Sequence, residues 1–206
     1  MATGPPISVL SKRDRQMNHE QPPADWKRWD EVLGLIASNM RRNDFESALR
    51  QVNRFLSDRA TPEVRSSALG MKAELEEQLG NLEGARQDLL AARELVRAGF
   101  GRYVHELCLA EIYHKQGQAT EAMRWCRMAL NTGIEAKISV GGALKKLLEL
   151  QGIDNLTEED RTLCFAATER SWQALQLPGT PDVTDLAKAV SAIMSAEAKP
   201  PRTSAL

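Results

Sequence analysis

The sequence predicts an all-α protein made of stacked antiparallel helix hairpins, and two observations carry the prediction. The first is a repeat of 37 residues: Ala48, Ala85 and Ala122 fall at that spacing, as do Asn43, Gly80 and Gly117, then Val52, Leu89 and Cys126, Phe55, Ala92 and Ala129, and Ile36, Ala73 and Ala110. The second is that each repeat holds two apolar stripes of helical period with a turn signal between them. A period in this range marks units that bury their apolar faces only against neighbours, and such stacks leave one long surface free for a partner.

In the first unit Trp29, Val32, Leu33, Ile36 and Met40 form one stripe of a helix, Asn43-Asp44 interrupts it, and Phe45, Ala48, Leu49, Val52, Phe55 and Leu56 form the second. Thr61-Pro62 starts the next helix, because proline suits a first helical position. The second unit runs through Leu69, Ala73, Leu75 and Leu79, stops at Gly80-Asn81, and resumes with Ala85, Leu89, Ala92, Leu95 and Val96. The third has Val104, Leu107, Cys108, Ala110, Ile112 and Tyr113, then Gly117, then Ala122, Met123, Trp125, Cys126, Ala129 and Leu130. Glycine just past a helix closes its carbonyl end in the left-handed conformation. Small residues at Ala85 and Ala122 let the two helices of a hairpin approach closely.

Beyond the third unit the period weakens. A helix is predicted over 136–151, and Thr157-Glu158-Glu159-Asp160 reads as the capped start of another that runs to about Leu177. After Pro178-Gly179-Thr180-Pro181, Asp182 or Thr184 is placed to cap a last helix carrying Val183, Leu186, Ala187, Val190, Ile193 and Met194. The expected organisation is a disordered tail over 1–24, a repeat domain over 25–177 (three units and a degenerate pair), a capping helix over 182–197 and a flexible tail over 198–206.

Composition narrows the function. Lysine plus arginine number 27 against 28 acids, so no net field draws nucleic acid to the chain. Three widely spaced cysteines, Cys108, Cys126 and Cys164, argue against a disulfide framework and suit a reducing compartment. Neither a secretory signal nor a run of 18 apolar residues occurs, so a cytoplasmic protein with no membrane insertion is expected. His105, His114, Cys108 and Cys126 lack the spacing of a metal site, Gly141-Gly142 is not followed by the lysine and hydroxyl of a phosphate loop, and no acid-base or nucleophile constellation appears. No enzyme, metal or cofactor is expected. Cys108 and Cys126 read as buried small hydrophobes, Trp125 and Trp172 as core aromatics, and Trp26 and Trp29 as partly exposed.

The residues Leu109-Ala110, Tyr113, Gly117, Ala122, Cys126 and Ala129-Leu130 of the third unit resemble the tetratricopeptide repeat (TPR) family, and so do Ala73, Gly80, Ala85, Leu89 and Ala92 of the second. The first unit keeps Leu35-Ile36 and Ala48, and the resemblance covers roughly 28–135. It implies a right-handed superhelix of helix hairpins, a TPR-like solenoid whose first helices line a concave groove. Carried over by position, the groove residues are Leu33, Met40 and Arg41 in the first unit, Glu74, Glu77 and Gln78 in the second, and Leu107, Glu111, His114 and Lys115 in the third. Co-chaperone members hold a partner's carboxylates with lysine and asparagine where this chain has Leu33, Gly70 and Leu107, and Ala37, Glu74 and Glu111; none fits, which rules out that mode. Apolar residues beside three acids suit an amphipathic helix of another protein that carries lysine or arginine. The expected function is therefore an adaptor, chaperone or assembly factor that binds a peptide or helix. The alternative is a structural subunit that makes its contacts through the convex face and the terminal helix.

Overall fold

The computed structural model describes residues 24–182 and 185–198. Residues 1–23 of the expected N-terminal tail, residues 199–206 of the C-terminal one, and Val183 and Thr184 lie outside the described residues. Among the described residues the regular elements are all helical, and the chain divides into two compact units, Met1–Arg97 and Ala98–Leu206.

Unit 1 holds α1 (Ala24–Arg41), α2 (Phe45–Leu56), α3 (Pro62–Gln78) and α4 (Leu82–Leu95). Unit 2 holds α5 (Gly99–Lys115), α6 (Ala119–Ala136), α7 (Gly141–Gln151), a short 3-10 turn (Ile153–Asn155), α8 (Glu158–Ala174) and α9 (Leu186–Glu197). The second helices α2, α4 and α6 begin at Phe45, Leu82 and Ala119, 37 residues apart.

The repeat is anchored by its turn. Asn43, Gly80 and Gly117 all take positive φ, at 55°, 82° and 75°. In each copy the following amide reaches back to a carbonyl five residues earlier: Asp44 to Asn39 at 3.0 Å, Asn81 to Glu76 at 2.8 Å and Gln118 to Tyr113 at 2.9 Å. That contact consumes carbonyls the ending helix leaves unpaired. In the first two copies the same residue then starts the next helix, since the Asp44 and Asn81 side chains accept the amides of Ser47 and Gly84 at 3.0 and 3.1 Å. One helix thus ends and the next begins within three residues, which sets the hairpin antiparallel. Ala48, Ala85 and Ala122 are fully buried where the paired helices close.

In unit 1 the core gathers Trp29, Ile36, Val52, Phe55, Val64, Met71 and Leu75 from α1, α2 and α3. Side chains of this kind each contribute about 1.5–3 kcal/mol on burial. Trp29, expected to be partly exposed, is instead completely buried. Its ring packs on Phe55 at 4.8 Å and its indole N–H donates to Ser67 Oγ at 3.0 Å, so its one polar atom is satisfied inside the core. Trp26 is half-buried. Asp25 ties the start of α1 to that of α3 by accepting both the Thr61 amide and its hydroxyl, at 2.8 and 2.7 Å, and these bonds hold its carboxyl below the usual range. Ser66 Oγ bonds the Ala92 carbonyl, and Lys72 pairs with Asp88, joining α3 to α4.

Unit 2 departs from expectation at its middle. The helix α6 runs through Thr132-Gly133, beyond which the repeat period weakens, to Ala136, and closes at Lys137 in the left-handed conformation, φ 57°. Gly133 is buried, and a Cβ there would lie 1.9 Å from Val140 Cγ1, so this glycine permits a close approach rather than a turn. The helix predicted from residue 136 accordingly starts at Gly141. Thr157 caps α8 by accepting the Asp160 amide at 3.1 Å, and Asp160 receives Arg127 of α6 through two bonds of 2.6 and 2.9 Å. These partners hold the Asp160 carboxyl down at about 2. The terminal helix is capped by Asp185, which accepts the Lys188 amide at 3.0 Å, and not by Asp182.

Candidate functional site

The first helices of unit 1, α1 and α3, each carry candidate residues at helical spacing. On α1, Trp29, Leu33 and Met40 share one side, and on α3, Ser67, Gly70, Glu74 and Glu77 share another; the Trp29–Ser67 bond sets their register. Leu33 and Met40 are half-buried against the unit 1 core, Gly70 is buried, and Arg41 and Gln78 are exposed at the helix ends.

Glu74 is the unusual member. It is half-buried, its Oε2 is closed off from solvent with no hydrogen-bond partner, and its carboxyl is raised above the ordinary value, first by desolvation and then by Glu77. A desolvated carboxylate beside a second acid is a strong local acceptor for a cation.

On α5 of unit 2, Leu107 is half-buried against Gly142, where a Cβ would come within 3.1 Å of its Cδ2. Glu111 stands one repeat after Glu74, yet its surroundings differ. Lys146 of α7 reaches it at 2.8 Å and also touches Glu149 at 3.2 Å, and the pairing raises the Lys146 ammonium against its own desolvation. His114 and Lys115 are exposed at the end of α5. The wall of three like acids read from the sequence is therefore chemically unequal: Glu111 is already paired within unit 2. Lys146 was missed because it belongs to a helix outside the 37-residue pattern.

Of the groups weighed for catalysis, His105 and Cys126 are buried, whereas His114 is exposed. Burial pushes the His105 imidazole down to about 4, and the Cys126 and Cys164 thiols up to about 12 and about 11. Cys108, expected to be buried, is only half so. Trp125 is buried and stacks on Tyr113, whereas Trp172 is half-buried and donates its indole N–H to the Pro178 carbonyl at 3.2 Å. Among the described residues no group of three or more His, Cys, Asp or Glu could hold a metal ion, and no helix is long and apolar enough to cross a membrane.

No family model and no curated protein matches this chain. Solved structures do. BtubC (BKLC) from P. vanneervenii matches with a TM-score of 0.54 and 13% identity, over 95% of this chain and 92% of that one. A Podosopora anserina protein of kinesin light chain type, with nearly identical TPR-like repeats, matches with a TM-score of 0.48 and 14% identity, over 84% of this chain and 98% of its own. Likeness at this level of identity concerns the fold alone: the chain has a TPR-like helical repeat fold.

Proposed function

We propose that the protein is a non-enzymatic protein-interaction scaffold, an adaptor or assembly factor of a reducing compartment such as the cytoplasm, and that it holds an amphipathic helix bearing lysine or arginine. The observation that carries this reading is Glu74, a half-buried carboxylate with an unpartnered oxygen, beside Glu77 on α3, the helix that the Trp29–Ser67 bond joins to α1 with its apolar Leu33 and Met40. A partner's cation would give the carboxylate the counter-charge it lacks in the free protein, while the apolar stripe accepts the hydrophobic side of the helix. On unit 2, taken by itself, Leu107, Glu111, His114 and Lys115 of α5 form a second candidate surface, where the Glu111–Lys146 pair offers a hydrogen-bonding site in place of a bare acid.

The alternative, a structural subunit gripped through its terminal helix, draws less support from α9. Its apolar residues Leu186, Ala189, Val190 and Ile193 are turned inward, and its exposed positions are Ala187, Lys188, Ser191, Ser195 and Glu197, which are small, polar or charged. The test is affinity capture from native lysate on immobilised wild-type chain and on the Glu74→Gln, Glu77→Gln double variant. Proteins retained by the wild type and lost by the variant at low salt are expected; an identical retained set would exclude the acidic face as the docking site.

A further inference from the structure

The terminal helix is held differently from the other helices of unit 2. α9 is 12 residues long, packs against α7 and α8, and buries Leu186, Ala189, Val190 and Ile193. It is joined to α8 by a segment in which Gln176, Pro178, Gly179 and Thr180 are exposed. At its far end the Glu197 carboxylate sits over the amino-terminal end of α7, where Oε1 accepts the Ser139 hydroxyl at 2.5 Å and the Gly141 amide at 3.2 Å. An anion there meets unpaired amides and the positive end of the helix dipole. Gly141 makes the approach possible: a Cβ at this position would lie 2.6 Å from Glu197 Oε2 and 2.7 Å from Ile193 Cγ2.

A helix of this length is marginal in water on its own, so α9 persists only while docked. Its docking rests on four buried side chains, the half-buried Ala192, Met194 and Ala196, and one exposed carboxylate, a small attachment compared with the hairpin packing of α5 and α6. Elements with few buried contacts open locally well below the global unfolding free energy.

We propose that α9 is a releasable strap, latched by Glu197 onto the start of α7, which opens as a unit while α5–α8 stay folded and thereby uncovers the apolar surface it shields on α7 and α8. The inference does not depend on the acidic face of unit 1.

Hydrogen exchange read by mass spectrometry on the full chain tests it. In the wild type, amides of residues 189–197 are expected to exchange faster than those in the middle of α7 and α8. Glu197→Ala should speed α9 exchange a further three- to tenfold, roughly the loss of one charge at a helix terminus and its two bonds. Gly141→Ala, which places a methyl against Ile193 and Glu197, should do the same by steric means, and in both variants α7 and α8 should keep their protection. A rise shared equally by α7, α8 and α9 would make the three helices one cooperative unit and overturn the strap, as would no rise in α9.

Discussion

The carboxylate of Glu111 lies 2.8 Å from the ammonium of Lys146, and this one contact separates two acids that the repeat makes equivalent. Glu74 is shifted by burial and by Glu77, with no cation among the causes, whereas Glu111 is matched by α7. The two positions should therefore respond to substitution in opposite directions.

At pH 7, Glu74→Gln should raise the melting midpoint by about 1–3 °C, because it removes a desolvated charge. The sign follows from the raised carboxyl. The folded state binds this proton more tightly than the unfolded chain, so the charged form weakens the fold once pH rises through the raised value, and below the ordinary 4.5 the cost is absent. Melts followed by circular dichroism should show the gain at pH 7 and none at pH 4. Glu111→Gln should instead lower stability, by up to about 1 kcal/mol, since Lys146 keeps Glu149 but loses its shorter partner.

Asp160→Asn should cost about 1–2 kcal/mol, discounted from a fully buried pair because Arg127 is partly exposed. The Asp160 carboxyl is depressed to about 2 from an ordinary 3.8, so its contribution is complete above 3.8 and disappears as pH falls toward 2. The wild type and the variant should accordingly converge in urea unfolding as the buffer is taken from pH 5 to pH 2. A constant gap would assign the effect to something other than this titration.

The turn residues allow a comparison within one molecule. A Cβ at Gly80 or Gly117 meets nothing within 4 Å, so Gly80→Ala and Gly117→Ala should each cost about 1 kcal/mol from backbone conformation alone. Asn43→Gly, at the same turn with φ 55°, should be neutral or stabilising by up to about 0.5 kcal/mol. Thermal melts of the three variants check the order.

Ala85 and Ala122 have no exposed surface, and Leu at either should destabilise by about 1–3 kcal/mol through overpacking between paired helices. Unchanged midpoints would contradict the assigned helix contacts.

The hairpins were legible in the sequence because their determinants are local. A left-handed residue, a capping side chain and a small residue recur at fixed spacing, and each acts within a few positions of itself. The role of Gly133 was not legible for the same reason: no local pattern shows that Val140 lies where its side chain would stand, so that the missing Cβ serves packing. Trp29 looked like an edge residue from its place near the start of the array, while its burial depends on Phe55 and Ser67, which no local pattern connects to it. The Asp185 cap was passed over because Asp182 and Thr184 stand beside it with equal chemical merit. The acids of the candidate face were visible as letters; their inequality was not, since it arises from Lys146 on a helix beyond the repeat.

Binding of a cationic helix to the Glu74–Glu77 face is tested most directly by affinity as a function of salt. A helical peptide of about 20 residues, about 30 Å long, would be selected from a display library on the wild-type chain. Its dissociation constant would be measured by fluorescence anisotropy at about 50 mM and about 500 mM salt, where the screening length changes severalfold. Enrichment of lysine and arginine on one side of the peptide is predicted, with about tenfold weaker binding to the Glu74→Gln, Glu77→Gln variant at low salt, a flattened salt dependence, and unchanged helical circular dichroism. Peptides without that enrichment, or equal affinity for wild type and variant at both salt concentrations, would contradict it.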